Sequence, residues 1–364
     1  MIFFLIVITG VTATLAVRTV AVNTVKKQIR NHLKDTAQLR TRYIETFLNE
    51  NQKKVKMIAS GFIFKELLTA KKEDTDYALK YKTVQKRLHS LSKAIDKFIN
   101  LSIIDKNGII VVSTDNKFLG YDLSDDAAFR KGIKRSFVKD ISICRCCKKP
   151  VVGILLPIIK DNESIGVVLA NIKAKELNRI TTDRTGLGKT GEIYIVNKDG
   201  CMIIPSRFVK DAVLKQKIDT ENTRGYFKHI ERFGEKEHEH KEFVFKNYLG
   251  VDVLGVHAHI HGMNWCLIAE ISKEEAFAPI AAMIKTMFVV FTALSIALIL
   301  FAVPISKTIT APILRLRRGT ERLKSGNLDY KVGTKAKDEI GELSRAFDTM
   351  SSNLKKSRYC LEDF

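Results

Sequence analysis

The chain has 364 residues, which leaves room for more than one domain, and its 45% hydrophobic content excludes a largely disordered protein. The formal net charge of +21 is spread along the sequence. Such a charge is typical of a lysine-rich surface, and it also suits anionic lipid headgroups or an anionic ligand. We expect no nucleic-acid partner, because the sequence shows no nucleic-acid-binding motif and contains two apolar runs of membrane length.

The two apolar runs cover residues 1–17 and 286–306, and neither contains a charged residue. A helix needs roughly 20 such residues to cross a hydrocarbon core about 30 Å thick. Both runs are therefore predicted to be transmembrane helices. Because no Lys or Arg precedes the first run, a cleaved signal peptide is not favoured, and we expect a retained anchor.

Basic residues predict the orientation of the chain in the membrane. Several basic residues follow the second run within about 20 residues, among them Arg315, Arg317, Arg318, Arg322 and Lys324. An excess of positive charge marks the cytoplasmic flank of a membrane helix. We therefore predict a multi-pass protein of the inner (cytoplasmic) membrane, with residues 18–282 extracytoplasmic.

The residues after the second run carry apolar side chains at heptad spacing. One seam consists of Ile309, Ile313, Leu316, Thr320 and Leu323, and the other of Ile340, Leu343, Phe347, Met350 and Leu354. Heptad spacing keeps an apolar stripe facing a partner helix. Two helices this short cannot bury both seams alone, so a dimeric four-helix bundle is expected. A single coiled coil and a hairpin lying on the membrane surface are the alternatives.

This segment resembles a HAMP linker over residues 307–356. The residues that carry the resemblance are Pro312, Glu321, Gly326, Leu328, Asp338, Glu339, Ile340, Gly341 and Phe347. The resemblance implies a parallel homodimer that relays a displacement of the membrane helix to an output domain. Residues 357–364 would begin the linker to that cytoplasmic output domain or protein.

Elementary helix chemistry agrees with this interpretation of the tail. Pro312 suits the start of a helix, because it lacks an N–H and its φ is fixed. Pro304 is expected to kink or end the spanning helix. Asp338 and Glu339 place carboxylates where the helix dipole favours negative charge.

The segment between the apolar runs predicts an α+β fold with a repeated unit. Residues 18–60 contain no Pro or Gly and have helical periodicity, and residues 62–98 continue as helix. Period-2 segments then follow in two rounds, each containing strand, turn, Gly and strand. The predicted strands are 101–104, 109–113, 151–157, 165–172, 191–197, 201–204, 243–245, 251–259 and 265–270.

This segment resembles the double Cache sensor domain, in which two PAS-like modules hang from a stalk helix. The matching stretches are residues 108–129, 155–172, 188–203 and 261–272. The resemblance implies a stalk helix at 18–60, a membrane-distal module at 61–180 and a membrane-proximal module at 181–282. It also implies that the distal module holds a small extracytoplasmic ligand.

Four residues are candidates for contacts with that ligand: Tyr121, Asp126, Phe129 and Asn171. In the amino-acid-binding branch of the family, an Arg, a Trp-Tyr pair and an Asp grip the ligand. The corresponding positions here are Asp126, Ala128, Phe129 and Asn171. A free α-amino acid is therefore not the expected ligand. A purely structural role for these residues is the alternative.

The cysteine and histidine clusters suggest an alternative to ligand binding, namely a disulfide, redox or metal site. Cys144, Cys146 and Cys147 could form a disulfide or a redox or metal site. The histidines in the membrane-proximal module alternate in sequence, so each group shares one strand face: His238 and His240, then His257, His259 and His261. They are weak metal candidates or a solvated strand face. No cofactor is expected, because no cofactor motif is present.

The function predicted from the sequence is sensing and transmembrane relay in a bacterial signal-transduction receptor. No nucleotide loop, catalytic triad or acid pair appears, so the chain itself is not expected to be an enzyme. One alternative is a membrane-anchored metal-binding or redox-sensing protein. Another is the N-terminal part of a sensor histidine kinase or nucleotide cyclase whose catalytic domain lies beyond Phe364.

Overall fold

A computed structural model describes residues 2–144, 148–181, 186–234 and 244–362. The helices are α1 (Ile2–Ala59), α2 (Phe62–Thr69), α3 (Tyr77–Ala94), α4 (Ala127–Gly132), α5 (Lys175–Thr181), α6 (Glu221–Phe233), α7 (Lys273–Ile305), α8 (Ala311–Lys324) and α9 (Glu339–Glu362). The strands are β1 (Phe98–Asp105), β2 (Ile110–Ser113), β3 (Phe137–Ile143), β4 (Pro150–Lys160), β5 (Glu163–Lys173), β6 (Glu192–Asn197), β7 (Val244–Lys246), β8 (Asp252–Ile260) and β9 (Trp265–Ser272). The predicted mixture of helices and strands, with a long N-terminal helix, is confirmed.

The first sheet has the strand order β2-β1-β5-β4-β3, and every neighbouring pair is antiparallel. We call this sheet with α2 to α5 the first module. Leu101 and Ile103 of β1 belong to a large apolar cluster that also contains buried residues of α1, α2 and α3. Ile104, on the opposite face, belongs to a smaller cluster with residues of α4. The sheet therefore has one fully covered face and one face that short elements cover.

The second sheet has the strand order β6-β9-β8-β7 and is also antiparallel. We call this sheet, with α6, the second module. Tyr194 and Trp265 are fully buried in its core. Strand β9 ends at Ser272, and α7 begins at the next residue. The last strand of this sheet in chain order is therefore joined to α7 without a loop.

Several local features differ from the sequence prediction. The predicted helix at 62–98 is interrupted at residues 70–76 and ends at Ala94, and the short helices α4 and α5 were not predicted. Strand β3 was not predicted, because its sequence FVKDISI mixes Lys and Asp with apolar residues. Helix α6 was also missed, although Thr220 and Thr223 form a capping box at its start. The predicted strand at 201–204 is reduced to isolated bridges at Cys201 and Met202.

Helices α1 and α7 are both long and apolar enough to cross a membrane. Near its start α1 contains Gly10, and a Cβ there would lie 2.8 Å from the Phe291 ring of α7. The glycine therefore lets that ring approach the backbone of α1. The predicted kink at Pro304 takes the form of a π-helical turn at Ser306–Thr310, which joins α7 to α8.

The connector between α8 and α9 is fastened to α9 by hydrogen bonds. Both carboxylate oxygens of Asp348 accept backbone N–H groups, from Val332 and Gly333, each at 2.8 Å. Ser351 Oγ donates to the carbonyl of Leu328 at 2.8 Å. These bonds satisfy backbone groups of an irregular segment, which fixes its course along the helix.

The HAMP-like residues lie at the ends and crossings of these two helices. Pro312 is the second residue of α8, and Asp338 accepts a hydrogen bond at 2.8 Å from Gly341 N in the first turn of α9. A Cβ at Gly341 would lie 2.2 Å from the carbonyl oxygen of Ala336, so only glycine fits there. The other positions are Glu321, which pairs with Arg317 at 3.4 Å, Gly326 at φ 89°, and Glu339 and Ile340, which open α9.

One residue of the predicted seams is buried within the chain, whereas others face outward. Phe347 packs with Val332 around Gly319, where a Cβ would lie 2.5 Å from Val332 Cγ1. Along α9, Leu343, Met350 and Leu354 remain about half exposed. This α8–α9 pair therefore leaves part of its apolar stripe uncovered.

Candidate ligand-binding site

A row of side chains crosses the first sheet on the face that α4 covers. The register pairs Lys139 of β3 with Gly153 of β4, Gly153 with Asn171 of β5, and Asn171 with Asn100 of β1. Paired residues on neighbouring strands lie side by side on one face, and the strands are about 4.8 Å apart. The register therefore brings together residues that are far apart in the sequence.

Gly153 lets a cation and a carboxamide approach each other across β4. A Cβ at position 153 would lie 3.2 Å from Lys139 Cβ, 3.5 Å from Asn171 Oδ1 and 3.6 Å from Leu169 Cδ1, so neighbouring side chains already occupy this space. The Asn171 Nδ2 group donates to Asn100 Oδ1 at 2.7 Å, which leaves Asn171 Oδ1 directed toward Gly153. Gly153 therefore has an acceptor on one side and the stem of a lysine on the other.

Buried polar groups continue the floor of the site toward β2. Asn100 Nδ2 donates to Ser102 Oγ at 3.4 Å, and Ser102 Oγ donates to Ser113 Oγ at 3.0 Å. These three residues are at most 1% exposed. Buried polar groups need hydrogen-bond partners, so this ladder holds the orientation of Asn171.

Asp126 ties Lys139 to the start of α4. One carboxylate oxygen accepts Ala128 N at 2.7 Å as the N-cap, and the other accepts Lys139 Nζ at 2.6 Å. Partial burial alone would raise the pKa of Asp126, but the hydrogen bonds from Lys139 and Ala128 outweigh it and lower the pKa. The Asp126 carboxylate is therefore charged at neutral pH, and both side chains of the pair are partly exposed.

An apolar wall lies beside the ion pair. Phe129 is 5% exposed and clusters with Ile104 and Leu155 of the sheet. Tyr121 is 44% exposed, and its ring centroid lies 6.4 Å from that of Phe118 at the edge of this cluster. Of the four predicted residues, Asp126 and Asn171 therefore carry polar groups into the site, while Phe129 packs as its wall.

Sequence reasoning missed Lys139 and Gly153. A glycine inside a predicted strand often marks a close approach to another group, and Gly153 lies inside the predicted strand 151–157. Lys139 lies on the strand that was not predicted. Its position opposite Gly153 depends on strand register, which the sequence does not show.

A groove of about 560 Å³ lies elsewhere in the first module, between α2, the start of α3 and the β4–β5 turn. Its charged lining residues are Lys65, Lys80, Lys160, Glu66, Asp74 and Asp161. These charges balance, and the Asp76 carboxylate already pairs with Lys80 at 2.5 Å. This groove therefore shows no preference for a ligand of either charge, and the row over Gly153 is the better candidate.

The cysteine and histidine candidates do not form a metal cluster in the part of the chain that the structure describes. Cys144 is buried at the end of β3, whereas Cys146 and Cys147 lie outside the described residues. His259 Nδ1 lies 2.5 Å from the Tyr226 hydroxyl, and His257 stacks edge-on against the same ring. His261 pairs with Glu45 of α1 at 2.7 Å, and His238 and His240 lie outside the described residues.

One polar joint connects the two modules. Asp140, next to Lys139 on β3, accepts Trp265 Nε1 at 2.7 Å and Asn197 Nδ2 at 3.1 Å. Trp265 begins β9, and β9 leads into α7. A displacement at Lys139 can therefore reach the last strand of the second module through one covalent step and one hydrogen bond.

Comparison with known proteins agrees with this architecture. The sequence matches the Cache domain family over residues 20–280 and the HAMP domain family over residues 305–356. Sensor protein SrrB of Staphylococcus aureus is 43% identical over 56 residues, which are 15% of this chain and 10% of that protein. The chain thus spans about a tenth of the length of the curated relatives it matches.

Two solved sensor domains share the fold at low sequence identity. The sensor domain of the V. cholerae histidine kinase DctB is 10% identical with a TM-score of 0.53, covering 68% of this chain and 98% of that one. The sensory domain of the Campylobacter jejuni chemoreceptor Tlp3, with isoleucine bound, is 12% identical with a TM-score of 0.51, covering 70% and 96%. The chain belongs to the Cache domain family, as a double Cache sensor domain followed by a HAMP domain.

Proposed function

We propose that the first module binds a small ligand over Gly153 and that the chain relays its occupancy across a membrane to a cytoplasmic output domain or protein. The observation that carries this proposal is the convergence of Lys139 and Asn171 on either side of Gly153, beside a partly exposed ion pair. Ligand sites combine an apolar wall with a few convergent polar groups. Phe129 supplies the wall, and Lys139 and Asn171 supply the polar groups.

The polar groups favour a ligand that combines an acidic or acceptor group with a hydroxyl or amide donor. Lys139 Nζ can donate to a carboxylate, and Asn171 Oδ1 can accept from a donor on the ligand. The ammonium group of an amino acid would need a carboxylate partner. Asp126 is already engaged with Lys139 and with the N-terminus of α4. A carboxylate that lacks an α-amino group is therefore the preferred class, although Tlp3 is a relative with bound isoleucine.

The relay would run from β3 through Asp140 and Trp265 to β9 and α7, and then into α8. The proposed topology places 18–282 outside the inner membrane and the HAMP domain inside it, with α1 and α7 as the two spans. The domain boundaries predicted from the sequence are kept in this proposal. The family matches cover sensor and relay domains, so any catalytic activity, such as that of a histidine kinase or a cyclase, is assigned to an output partner or domain.

Ligand binding can be tested by thermal unfolding of the full chain in detergent, first with the twenty amino acids and then with a panel of carboxylates that lack an α-amino group. A ligand at about 100 times its Kd stabilises the folded state by roughly 2.7 kcal/mol. We expect stabilisation by at least one carboxylate and by no free amino acid. Lys139→Gln should abolish the response, whereas Lys134→Gln, at an exposed position on the turn before β3, should keep it.

Stabilisation by a free amino acid would contradict the proposed ligand class. A response that survives in Lys139→Gln would contradict the proposed site. A response to Zn²⁺ alone, lost on replacing Cys144, would instead favour the metal or redox alternative.

The HAMP domain is proposed to form a homodimer through its exposed seam. Leu343, Met350 and Leu354 are 57%, 48% and 48% exposed, which supports a partner helix over this face. We expect Leu343→Asp to convert a dimeric full chain to a monomer, measured as mass by light scattering with the detergent contribution subtracted. The control Thr349→Asp places the same charge on an exposed position outside the seam and should remain dimeric. A monomeric wild-type chain at high micromolar concentration would contradict the bundle.

A further inference from the structure

The second module contains two carboxylates that are buried directly opposite one another. Glu192 of β6 pairs in register with Glu270 of β9, and they are 3% and 1% exposed. Directly opposed residues on neighbouring strands have Cβ atoms about 5 Å apart. Two negative charges held this close, away from water, are costly unless a cation or a proton is taken up.

The hydrogen-bond partners of the pair are neutral groups. Glu192 accepts Ser206 Oγ at 2.8 Å, Arg207 N at 2.6 Å and the Tyr248 hydroxyl at 2.5 Å. Glu270 accepts the Tyr194 hydroxyl at 2.9 Å and Asn247 Nδ2 at 2.7 Å. These contacts come from β6, from the segment after β6 and from the segment after β7.

The remaining neighbours keep the pair dry. Gly255 of β8 is paired with Glu270, and a Cβ there would lie 2.8 Å from the Phe245 ring of β7 and 3.1 Å from Glu270 Cβ. The ring therefore fills the space beside Glu270. On β7, Lys246 is 74% exposed and pairs with Asp252 at 3.5 Å, so its charge is screened by solvent.

The guanidinium group of Arg207, whose backbone contacts the pair, is engaged elsewhere. Arg207 contacts Glu192 through its backbone N–H, whereas its Nη1 donates to the carbonyls of Gly191 at 2.7 Å and Gly188 at 3.2 Å. Because the two opposed carboxylates are buried and, within the described part of the chain, paired with no cation, the geometry favours protonation of one of them. Burial, with a contribution from the charge of Glu192, raises the pKa of Glu270 to about 7 against the lowering effect of Asn247 and Tyr194.

The proton can be accommodated between Glu270 and Tyr194. The oxygen of Asn247 already accepts Leu249 N at 3.0 Å and Val251 N at 3.1 Å, so its amide must keep donating to Glu270. The Tyr194 hydroxyl can instead rotate, so that its oxygen accepts a hydrogen bond from the protonated carboxyl group of Glu270. The protonated and deprotonated forms of the pair therefore differ in the orientation of the Tyr194 hydroxyl and in the charge of Glu270, which lies opposite Glu192.

Hydrogen bonds connect this pair to the start of α7. Arg207 holds the carbonyls that flank Lys189 and Thr190, and the amides of these two residues donate to Glu275 of α7 at 2.7 Å each. The Thr190 hydroxyl also donates to Glu275. These hydrogen bonds lower the pKa of Glu275, and the bond from Lys189 N has the largest effect. The Glu275 carboxylate therefore stays charged while the turn binds it.

We propose that the second module senses pH through the Glu192–Glu270 pair. Loss of the proton creates a second buried charge opposite Glu192, which displaces the segment with Ser206 and Arg207. That displacement loosens the turn at Lys189 and Thr190 from Glu275 and so changes the hold on α7. The input is a proton, and it is independent of any ligand over Gly153.

The test uses the full chain in lipid nanodiscs and compares Glu270→Gln with wild type. Acid-minus-base infrared difference spectra should show one protonated carboxylic acid that disappears with a midpoint near pH 7. This band should be absent in Glu270→Gln and present in Glu274→Gln, an exposed control on the first turn of α7. Hydrogen exchange of the Lys189 and Thr190 amides at pH 8 should be severalfold faster in wild type than in Glu270→Gln, and equal at pH 5.5. Comparing the proteins at the same pH cancels the intrinsic pH dependence of exchange.

A wild-type spectrum without a carboxylic acid band at pH 5.5, or with that band unchanged in Glu270→Gln, would overturn proton uptake by this pair. Equal exchange in the two proteins at pH 8 would overturn the connection to α7. Both measurements ignore the ligand of the first module, so they can fail while the proposed binding site over Gly153 stands.

Discussion

Glycines in the interior strands of the two modules allow close packing in different surroundings. Gly153 in the first module lies between Lys139 and Asn171, where a Cβ would come within 3.2 Å of Lys139 Cβ, beside a partly exposed ion pair. Gly255 in the second module lies beside Glu270, where a Cβ would come within 2.8 Å of the Phe245 ring. The same residue thus lies beside a partly exposed polar row in one sheet and beside a buried acid in the other.

The two modules also differ in the group that lies opposite a buried or partly buried carboxylate. Asp126 has the Lys139 ammonium as a partner and stays ionised, whereas Glu270 faces Glu192 and takes up a proton near neutrality. Repetition of one architecture therefore does not repeat its chemistry. The first module is suited to a small ligand, and the second to a change in pH.

Replacing Glu270 should have the largest effect on this comparison. The pKa of Glu270 in the folded state, about 7, lies above its ordinary value of 4.5. The folded state therefore binds the proton more tightly, so stability is fully present below about pH 4.5, falls as the pH rises and levels off above about pH 7. The shift corresponds to about 3 kcal/mol. Glu270→Gln should remove this dependence, measured as the free energy of denaturant unfolding at pH 5 and pH 8, while Glu274→Gln should retain it.

Adding a methyl group to each glycine should distinguish the more tightly packed position from the less tightly packed one. Gly255→Ala would press on the Phe245 ring and on Glu270 Cβ, and overpacking of this kind costs about 1–3 kcal/mol. Gly153→Ala would bring a methyl group 3.2 Å from Lys139 Cβ, on a partly exposed side chain that can move, and we expect a change in stability below about 1 kcal/mol. Thermal unfolding of both variants at one pH measures the difference. Equal destabilisation would show that the two positions are packed equally tightly.

The smallest expected effect concerns Asp126. Asp126→Ala removes the N-cap of α4 and the partner of Lys139, which should cost about 1 kcal/mol at pH 7. Because the pKa of Asp126 is lowered in the folded state, its contribution is present above the ordinary pKa of aspartate and is lost as the pH falls through the folded-state pKa. The wild type and Asp126→Ala should therefore converge in stability under acid. A constant difference down to the lowest accessible pH would contradict the ionised N-cap.

Periodicity and turn residues were enough to predict much of the fold and little of the site. The stalk, the hairpin around Gly108, the later strands and the heptads of α8 and α9 are repeating local signals. Strand β3 lacked such a signal, because Lys139 and Asp140 interrupt its apolar residues. These two side chains are paired by the fold, one with Asp126 and the other with Trp265.

The pairings that decide the chemistry come from strand register. Lys139, Gly153 and Asn171 become neighbours only once three strands are aligned. Glu192 and Glu270 each resemble an ordinary surface carboxylate in the sequence, and only the pairing of β6 with β9 shows that they are opposed and buried. The sequence therefore suggested where polar residues lie along the chain. Only the tertiary structure shows which of these residues are neighbours.

The joint at Trp265 has a consequence for how this receptor can be observed. The chain contains one tryptophan, and its indole N–H is bound to Asp140 of the first module while its ring is buried in the second. All of the tryptophan fluorescence of the protein therefore originates at the contact between the modules. A carboxyl group beside the indole changes the emission of the indole when it moves, so the wild-type protein carries its own optical reporter of relative motion between its two modules, without any introduced label.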